Sequence, residues 1–204
     1  MCVTGCVVKF VSRCSYVIKV RHLTFDDITI IDIESQKVMT TISMDTYIYG
    51  MGIRGRKIYY CANGKGIKML NLSDKSVSDI TKSKMSSVDY VATYGDKLYY
   101  TNCYAHTVTC CDLHGTTLWE FKDRCVLKGP LGISVDNDGN VYVVGCYSDN
   151  VVVISPDGQR HRQLLSSTDG LSYPRVLDYD KSTSRLLVVN QSSTAFLFDV
   201  TRGE

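Results

Sequence analysis

Short apolar runs, each closed by a polar residue and a turn, recur along the whole chain. Five of them share one signature: Ile30-Ile31-Asp32-Ile33, Met69-Leu70-Asn71-Leu72, Cys110-Cys111-Asp112-Leu113, Val153-Ile154-Ser155-Pro156 and Leu197-Phe198-Asp199-Val200. Their polar members, at 32, 71, 112, 155 and 199, are spaced by 39, 41, 43 and 44 residues. Spacing this regular marks a repeated supersecondary unit. Upstream of the last four markers lies a second run of matching chemistry: Lys57-Ile58-Tyr59-Tyr60, Lys97-Leu98-Tyr99-Tyr100, Asn140-Val141-Tyr142-Val143 and Arg185-Leu186-Leu187-Val188. A third run precedes each of these, at 49–53, 88–93, 131–135 and 175–177.

β-branched and aromatic residues dominate the runs, and none carries the period of a long amphipathic helix. Asp138-Gly139, Asp157-Gly158, His114-Gly115 and Tyr94-Gly95-Asp96 supply the positive φ that tight antiparallel turns demand. With a weaker outer strand, such as 163–165, each unit reads as four short antiparallel strands. Repeated at this period, they predict an all-β β-propeller. About five four-stranded blades are expected, over 1–43, 44–84, 85–127, 128–168 and 169–204 of a single domain, 1–204.

One unit is more specific. It combines Gly132-Ile133-Ser134-Val135-Asp136, the turn Asp138-Gly139-Asn140, the strand Val141-Tyr142-Val143 and the exit Ile154-Ser155-Pro156-Asp157-Gly158. Residues 130–158 closely resemble an NHL repeat, and Tyr173-Pro174-Arg175-Val176 and Gly52-Ile53 keep parts of the same pattern. The single Trp119 stands in no Trp-Asp pair, which sets WD-repeat blades aside. As a whole the chain, with 1–8 leading into a degenerate first blade, resembles the C-terminal propeller of invertebrate tripartite-motif proteins. That resemblance implies a non-catalytic recognition module, the substrate-recognition part of a ubiquitin-ligase-like protein. It also implies six blades, so the chain is expected to be a fragment or a shortened relative. Ubiquitin transfer in that family depends on a zinc-bearing RING, with Cys and His at metal-ligand spacing. No two cysteines stand at the two-residue spacing of such a site, the four histidines are scattered, and no ligase activity is expected of this chain.

Composition changes this picture little. With 44% apolar and 22% charged residues the chain fits an ordered globular domain. Lys and Arg number 23 against 21 Asp and Glu, a net charge of +2 that makes neither nucleic acid nor an anionic membrane the default partner. No apolar run is long enough to span a bilayer, and no basic segment opens a secretory signal, so no membrane role and a cytoplasmic location are expected. Nine cysteines, at 2, 6, 14, 61, 103, 110, 111, 125 and 146, read as reduced thiols, most of them standing for small apolar residues on buried strands.

In a propeller blade the loop entering the first strand and the loop between the second and third strands share one face. Tyr47, Tyr49, Asn63, Lys65, Lys84, Tyr90, Tyr104, His106, Lys128, Tyr147, Asp149, Tyr173 and Arg175 are expected there. Within this group Tyr47, Tyr49, Lys65, Tyr104, His106, Lys128, Tyr147, Tyr173 and Arg175 form the expected partner-binding set. Tyr and Arg offer large contact area, few rotors to freeze and a polar tip. The opposite face mixes signs and reads as solvated surface. Asp136 to Asn140 lacks the later ligands of a calcium loop and reads as a hairpin turn. The inner strands offer little besides Asp89 and Asp136 to hold the metal of a gluconolactonase-type hydrolase, and neither a Gly-x-Ser-x-Gly elbow nor a phosphate-binding Gly-rich loop is present. Hence no catalytic residue, metal, cofactor or small-molecule substrate is expected. A protein partner leads, single-stranded RNA held by aromatic stacking and phosphate contacts is the alternative, and the hydrolase ranks last.

Overall fold

A computed structural model describes residues 8–10, 16–22, 26–32, 34–82, 85 and 89–201, with side chains from residue 27 onward. The cysteines at 2, 6 and 14, the segment 1–7 and Lys84 lie outside the described residues. Among the described residues nineteen strands form five antiparallel sheets, each a meander in which sequence neighbours pair. The first sheet comprises β1 (Val8–Phe10), β2 (Tyr16–His22), β3 (Asp26–Asp32) and β4 (Val38–Ser43). The second comprises β5 (Ile48–Arg54), β6 (Lys57–Ala62), β7 (Gly66–Asn71) and β8 (Val77–Asp79). The third comprises β9 (Val91–Tyr94), β10 (Lys97–Asn102), β11 (Thr107–Asp112) and β12 (Thr117–Phe121), and the fourth β13 (Pro130–Val135), β14 (Val141–Gly145), β15 (Asn150–Ile154) and β16 (His161–Leu165). The last holds β17 (Pro174–Asp180), β18 (Arg185–Asn190) and β19 (Ala195–Asp199). The only helical element described is a 3-10 turn at Ser167–Asp169.

Repeated four-stranded meanders are the β-propeller arrangement. The expectation of five four-stranded blades is corrected to four, followed by a three-stranded sheet. In the complete sheets the turn from third to fourth strand takes at least four residues, whereas only Val200 and Thr201 are described beyond β19, and among the described residues no strand pairs with its outer edge.

The periodic polar markers have a structural cause. Asp32 Oδ1 accepts the Ser35 N–H at 2.7 Å, Asn71 Oδ1 the Ser73 N–H at 3.1 Å, and Asp112 Oδ1 the N–H groups of His114 and Thr116 at 2.8 Å each. Ser155 Oγ accepts the Arg160 N–H at 2.9 Å. A short polar side chain at the end of each third strand thus organises the turn into the fourth. The same bonds hold the Asp32 and Asp112 carboxyls below the usual carboxylate range, chiefly through the Ser35 hydroxyl and the Thr116 N–H respectively.

The chain divides into two compact units, 1–87 and 88–204. The first is built on β1–β8 and a core that includes Ile28, Met51, Ile58, Tyr60 and Leu70. The second, β9–β19, has two clusters, one around Tyr99, Cys110, Leu127, Val141 and Val152, the other around Leu131, Tyr142, Val144, Leu177 and Leu186. Every residue of β13 and β14 is buried, because neighbouring sheets cover both of their faces; this is why the runs read as continuously apolar rather than alternating. Polar groups also tie successive sheets of this unit together. Thr101 Oγ1 donates to the Leu131 carbonyl at 3.0 Å, Ser134 Oγ donates to Asp178 Oδ1 at 3.2 Å, and the Tyr94 hydroxyl donates to the Asn137 carbonyl at 2.6 Å.

Candidate recognition face

In the second unit the turns 103–106, 146–149 and 191–194 and the connections 122–129 and 166–173 emerge at the same end of their sheets. They carry Tyr104, His106, Lys128, Tyr147 and Tyr173, and exposed Arg175 follows in β17. Gly129 is the centre of this group. Its φ is +59°, and a Cβ there would stand 2.5 Å from Tyr147 Cδ2, so the tyrosine ring lies directly on the glycine. The Gly129 N–H donates to His106 Nδ1 at 2.8 Å, and its carbonyl accepts the Cys146 N–H at 3.0 Å. Lys128 accepts the Tyr147 N–H at 3.0 Å and donates its own to Ser148 Oγ at 3.0 Å. His106, Lys128 and Tyr147, from three different connections, are therefore held side by side.

The Tyr147 hydroxyl lies near the thiol of Cys103, which burial pushes up to about 11; the tyrosine in turn is raised, chiefly by Cys103. Tyr104 lies within electrostatic reach of Tyr147, and Arg175 within reach of both Cys103 and Cys146. Tyr173 occupies the left-handed region at φ 46°, a strained place for a bulky residue. Two bonds hold it there: its N–H donates to Asp149 Oδ1 at 2.6 Å, and its carbonyl accepts the Gln191 N–H at 3.0 Å. For all this anchoring the rings stay accessible, with Tyr104 72%, Tyr147 56% and Tyr173 54% exposed.

Two functional candidates were missed by sequence reasoning. Burial, then Arg124, Lys122 and Lys128, hold the His106 pKa below its ordinary value, so three cations crowd one neutral imidazole. In the sequence Lys122-Asp123-Arg124 reads as a balanced charge run. In the fold, Asp123 Oδ1 accepts the Cys125 N–H at 2.8 Å and is turned into its own loop.

The remaining expected residues behave differently. In the first unit Tyr47 is exposed and accepts the Asn63 N–H at 3.2 Å, while Tyr49 is half-buried within β5. Lys65 Nζ is paired with Asp45 Oδ2 at 2.9 Å and also donates to the Asp45 carbonyl. Tyr90, in the second unit, is half-buried and gives its N–H to Thr101 Oγ1 at 3.0 Å, a role inside the sheet stack.

A cavity of about 350 Å³ opens at the opposite end of the sheets, lined by Asp136, Asn140, Tyr142, Arg162 and Tyr179 among others. Of its two carboxylates, Asp136 and Asp138, the first is already spent: Asp136 accepts the N–H groups of Asp138 and Asn140 at 2.9 Å each, the Asn140 amide at 2.8 Å and the Tyr142 hydroxyl at 3.2 Å. The segment is a hairpin turn. Among the described residues no three of His, Cys, Asp and Glu are grouped to hold a metal ion, and no helix is long and apolar enough to cross a membrane.

No protein-family model and no curated protein matches the chain. Solved structures do match. A chain in the crystal structure of a nidogen/laminin complex is 16% identical with a TM-score of 0.68, over 91% of this chain and 76% of that one. A protein from Bacteroides thetaiotaomicron is 13% identical with a TM-score of 0.70, over 90% of this chain but only 56% of its own length. Virginiamycin B lyase from Staphylococcus aureus is 13% identical with a TM-score of 0.69, over 98% of this chain and 71% of that one. At such identities the likeness establishes the fold, and the fold is a β-propeller. Propellers serve both binding proteins and enzymes, so function has to be argued from the site.

Proposed function

We propose that this chain is a non-catalytic recognition module that takes a protein partner on the loop face of its second unit. The observation that carries the reading is the cluster of exposed Tyr104, Tyr147 and Tyr173 beside Arg175, with the backbones of Tyr147 and Tyr173 anchored by the surrounding loops. Aromatic and Arg side chains that are already ordered lose little entropy on binding, which is what makes them binding hot spots. The NHL-like pattern of 130–158 supports an NHL-type propeller and a substrate-recognition role resembling that of tripartite-motif proteins, in the cytoplasm. One structurally similar chain comes from a nidogen/laminin complex, a precedent for protein binding on this fold.

Two features favour binding over catalysis. The thiols of Cys103 and Cys146 are pushed up by burial, away from the reactive thiolate. His106 already accepts the Gly129 N–H on Nδ1, which occupies that nitrogen as a base. Similarity to a lyase at 13% identity carries the fold alone. The test is affinity capture from cell extract with the wild-type chain and with Tyr104→Ala/Tyr147→Ala/Arg175→Ala, both verified as folded by circular dichroism. Specific protein partners should be lost from the triple variant. Capture that survives the triple change removes the reading, and capture abolished by ribonuclease transfers the face to single-stranded RNA.

A further inference from the structure

The charges on the loop face of the second unit are asymmetric in a way their numbers conceal. Each carboxylate carried by the loops themselves is committed to the chain's own backbone, while exposed Glu120 stands in β12 just before Lys122. Asp123 accepts the Cys125 N–H at 2.8 Å, Asp149 the Tyr173 N–H at 2.6 Å, Asp169 the Ser166 N–H at 2.9 Å, and fully buried Asp89 the Cys103 N–H at 2.9 Å. The cations are not committed. Lys122, Arg124, Lys128 and Arg175 are all exposed, and none forms an ion pair with a described residue. The first three converge on His106, which their field disfavours as a further cation. In the first unit, by contrast, Lys65 and Lys68 are closed onto Asp45 and Asp79 at 2.9 and 2.7 Å.

We propose that the partner segment docking on this face is an acidic, extended peptide. Its carboxylates would meet Lys122, Arg124, Lys128 and Arg175, and its apolar side chains would lie against Tyr104, Tyr147 and Tyr173. The inference deepens the proposed function and rests on it. Charge complementarity selects the occupant: four exposed cations without an ion pair stand against one free acid, Glu120, while each loop carboxylate is fixed in place because it holds its loop together. A peptide can place its acids opposite the cations and neutral residues opposite Asp123 and Asp149. A phosphate backbone carries charge at every nucleotide and has no such freedom. The ring of Tyr147 also has one face covered by Gly129, so it offers an edge and a single face rather than a slot between two open surfaces.

Fluorescence anisotropy with the full chain tests this, using three labelled probes: a short Glu/Asp-rich peptide with interspersed Phe and Leu, its Gln/Asn isostere, and an oligouridylate of similar length. The acidic peptide should bind about tenfold or more tightly than the isostere and weaken steadily as salt is raised. Lys122→Ala/Arg124→Ala/Lys128→Ala should reduce its affinity about tenfold, and the milder Arg124→Gln about threefold, with thermal midpoints unchanged. Lys97→Ala/Arg160→Ala, at the other end of the sheets, should change nothing. Equal binding of peptide and isostere, full affinity in the basic triple variant, or no binding of the acidic peptide overturns the acidic partner, while protein recognition through the tyrosines still stands on its own capture test. Tighter binding of oligouridylate than of the acidic peptide overturns the inference and the protein reading together.

Discussion

In the fourth sheet the third strand is shut away: Val151, Val152 and Ile154 of β15 are fully buried, and Val153 partly. In the next sheet the same position in the plan is open. Ala195, Leu197 and Asp199 of β19 are exposed, Leu197 to 60%. Both runs are equally apolar in sequence. What separates them is the packing on the sheet faces: the sheet of β15 has another sheet of its unit against each face, whereas β18 and β19 alternate exposed with buried or half-buried residues, as strands covered on one face do. The marker residues follow suit. Ser155 organises the turn toward β16, while Asp199 folds back to accept the Arg185 Nε–H at 2.9 Å from the facing position of β18. Burial of a third strand is thus a property of the sheets packed on its two faces rather than of its own residues.

The strongest way to break the contrast is to force the two sheets apart. A Cβ at Gly132 would meet the Leu177 backbone nitrogen at 2.6 Å and the Arg175 carbonyl at 2.9 Å. Backbone cannot yield as a flexible side chain would, so Gly132→Val is expected to cost about 3 kcal/mol, read as a lowered urea midpoint. An unchanged midpoint would mean that β13 and β17 do not approach this closely.

Truncating the two third strands sharpens the comparison directly. Val152→Ala should cost about 2 kcal/mol, because it empties a fully buried site, whereas Leu197→Ala should change stability by less than about 0.5 kcal/mol. A larger loss at Leu197 than at Val152, in chemical denaturation of the full chain, would show that something covers β19 in solution.

A pH effect sits between these sheets and the candidate site. The folded-state pKa of His106 is depressed from 6.5 by burial and by Arg124, Lys122 and Lys128. The neutral imidazole is the form the fold favours. Its contribution is fully present above the unfolded value and is lost as the pH falls through the folded one, when protonation of Nδ1 ends its acceptance from Gly129. An NMR titration of His106 should give a midpoint below 6.5, and Lys122→Ala/Arg124→Ala should move it upward. A midpoint at or above the ordinary value would contradict the basic surroundings on which the acidic-partner inference draws. The smallest effect is expected at Arg185→Gln. The Arg185–Asp199 pair is half-open to solvent and should be worth at most about 0.5 kcal/mol, in line with a device that tidies an edge without closing it.

Much of the fold was legible because its cause is local. Asp32, Asn71, Asp112 and Ser155 must sit where they do to bond N–H groups two to five residues away, and that requirement prints a period on the chain. Adjacent Cys110 and Cys111 illustrate the limit. Their side chains point to opposite faces of β11, yet both are fully buried, since neighbours cover both faces of the sheet. Exposed Cys125, in the connection 122–129, departs from the expectation for most of the thiols. The exposed face of β19 was equally hidden, because an apolar run looks the same whether one face of its sheet is covered or two.

For the candidate site the division is sharper. Residue type alone pointed to Tyr104, Tyr147, Tyr173 and Arg175, since large amphipathic side chains on loops are suited to contact. Which charges remain available was decided by the tertiary structure. Asp149 is consumed by an N–H that lies 24 residues further along, and Gly129 reaches back 23 residues to His106. Strand period and turn chemistry are set by neighbours along the chain, and a sequence displays them. The pairing of a carboxylate with a distant N–H exists only once the loops have met, and that pairing leaves Lys122, Arg124 and Lys128 facing solvent.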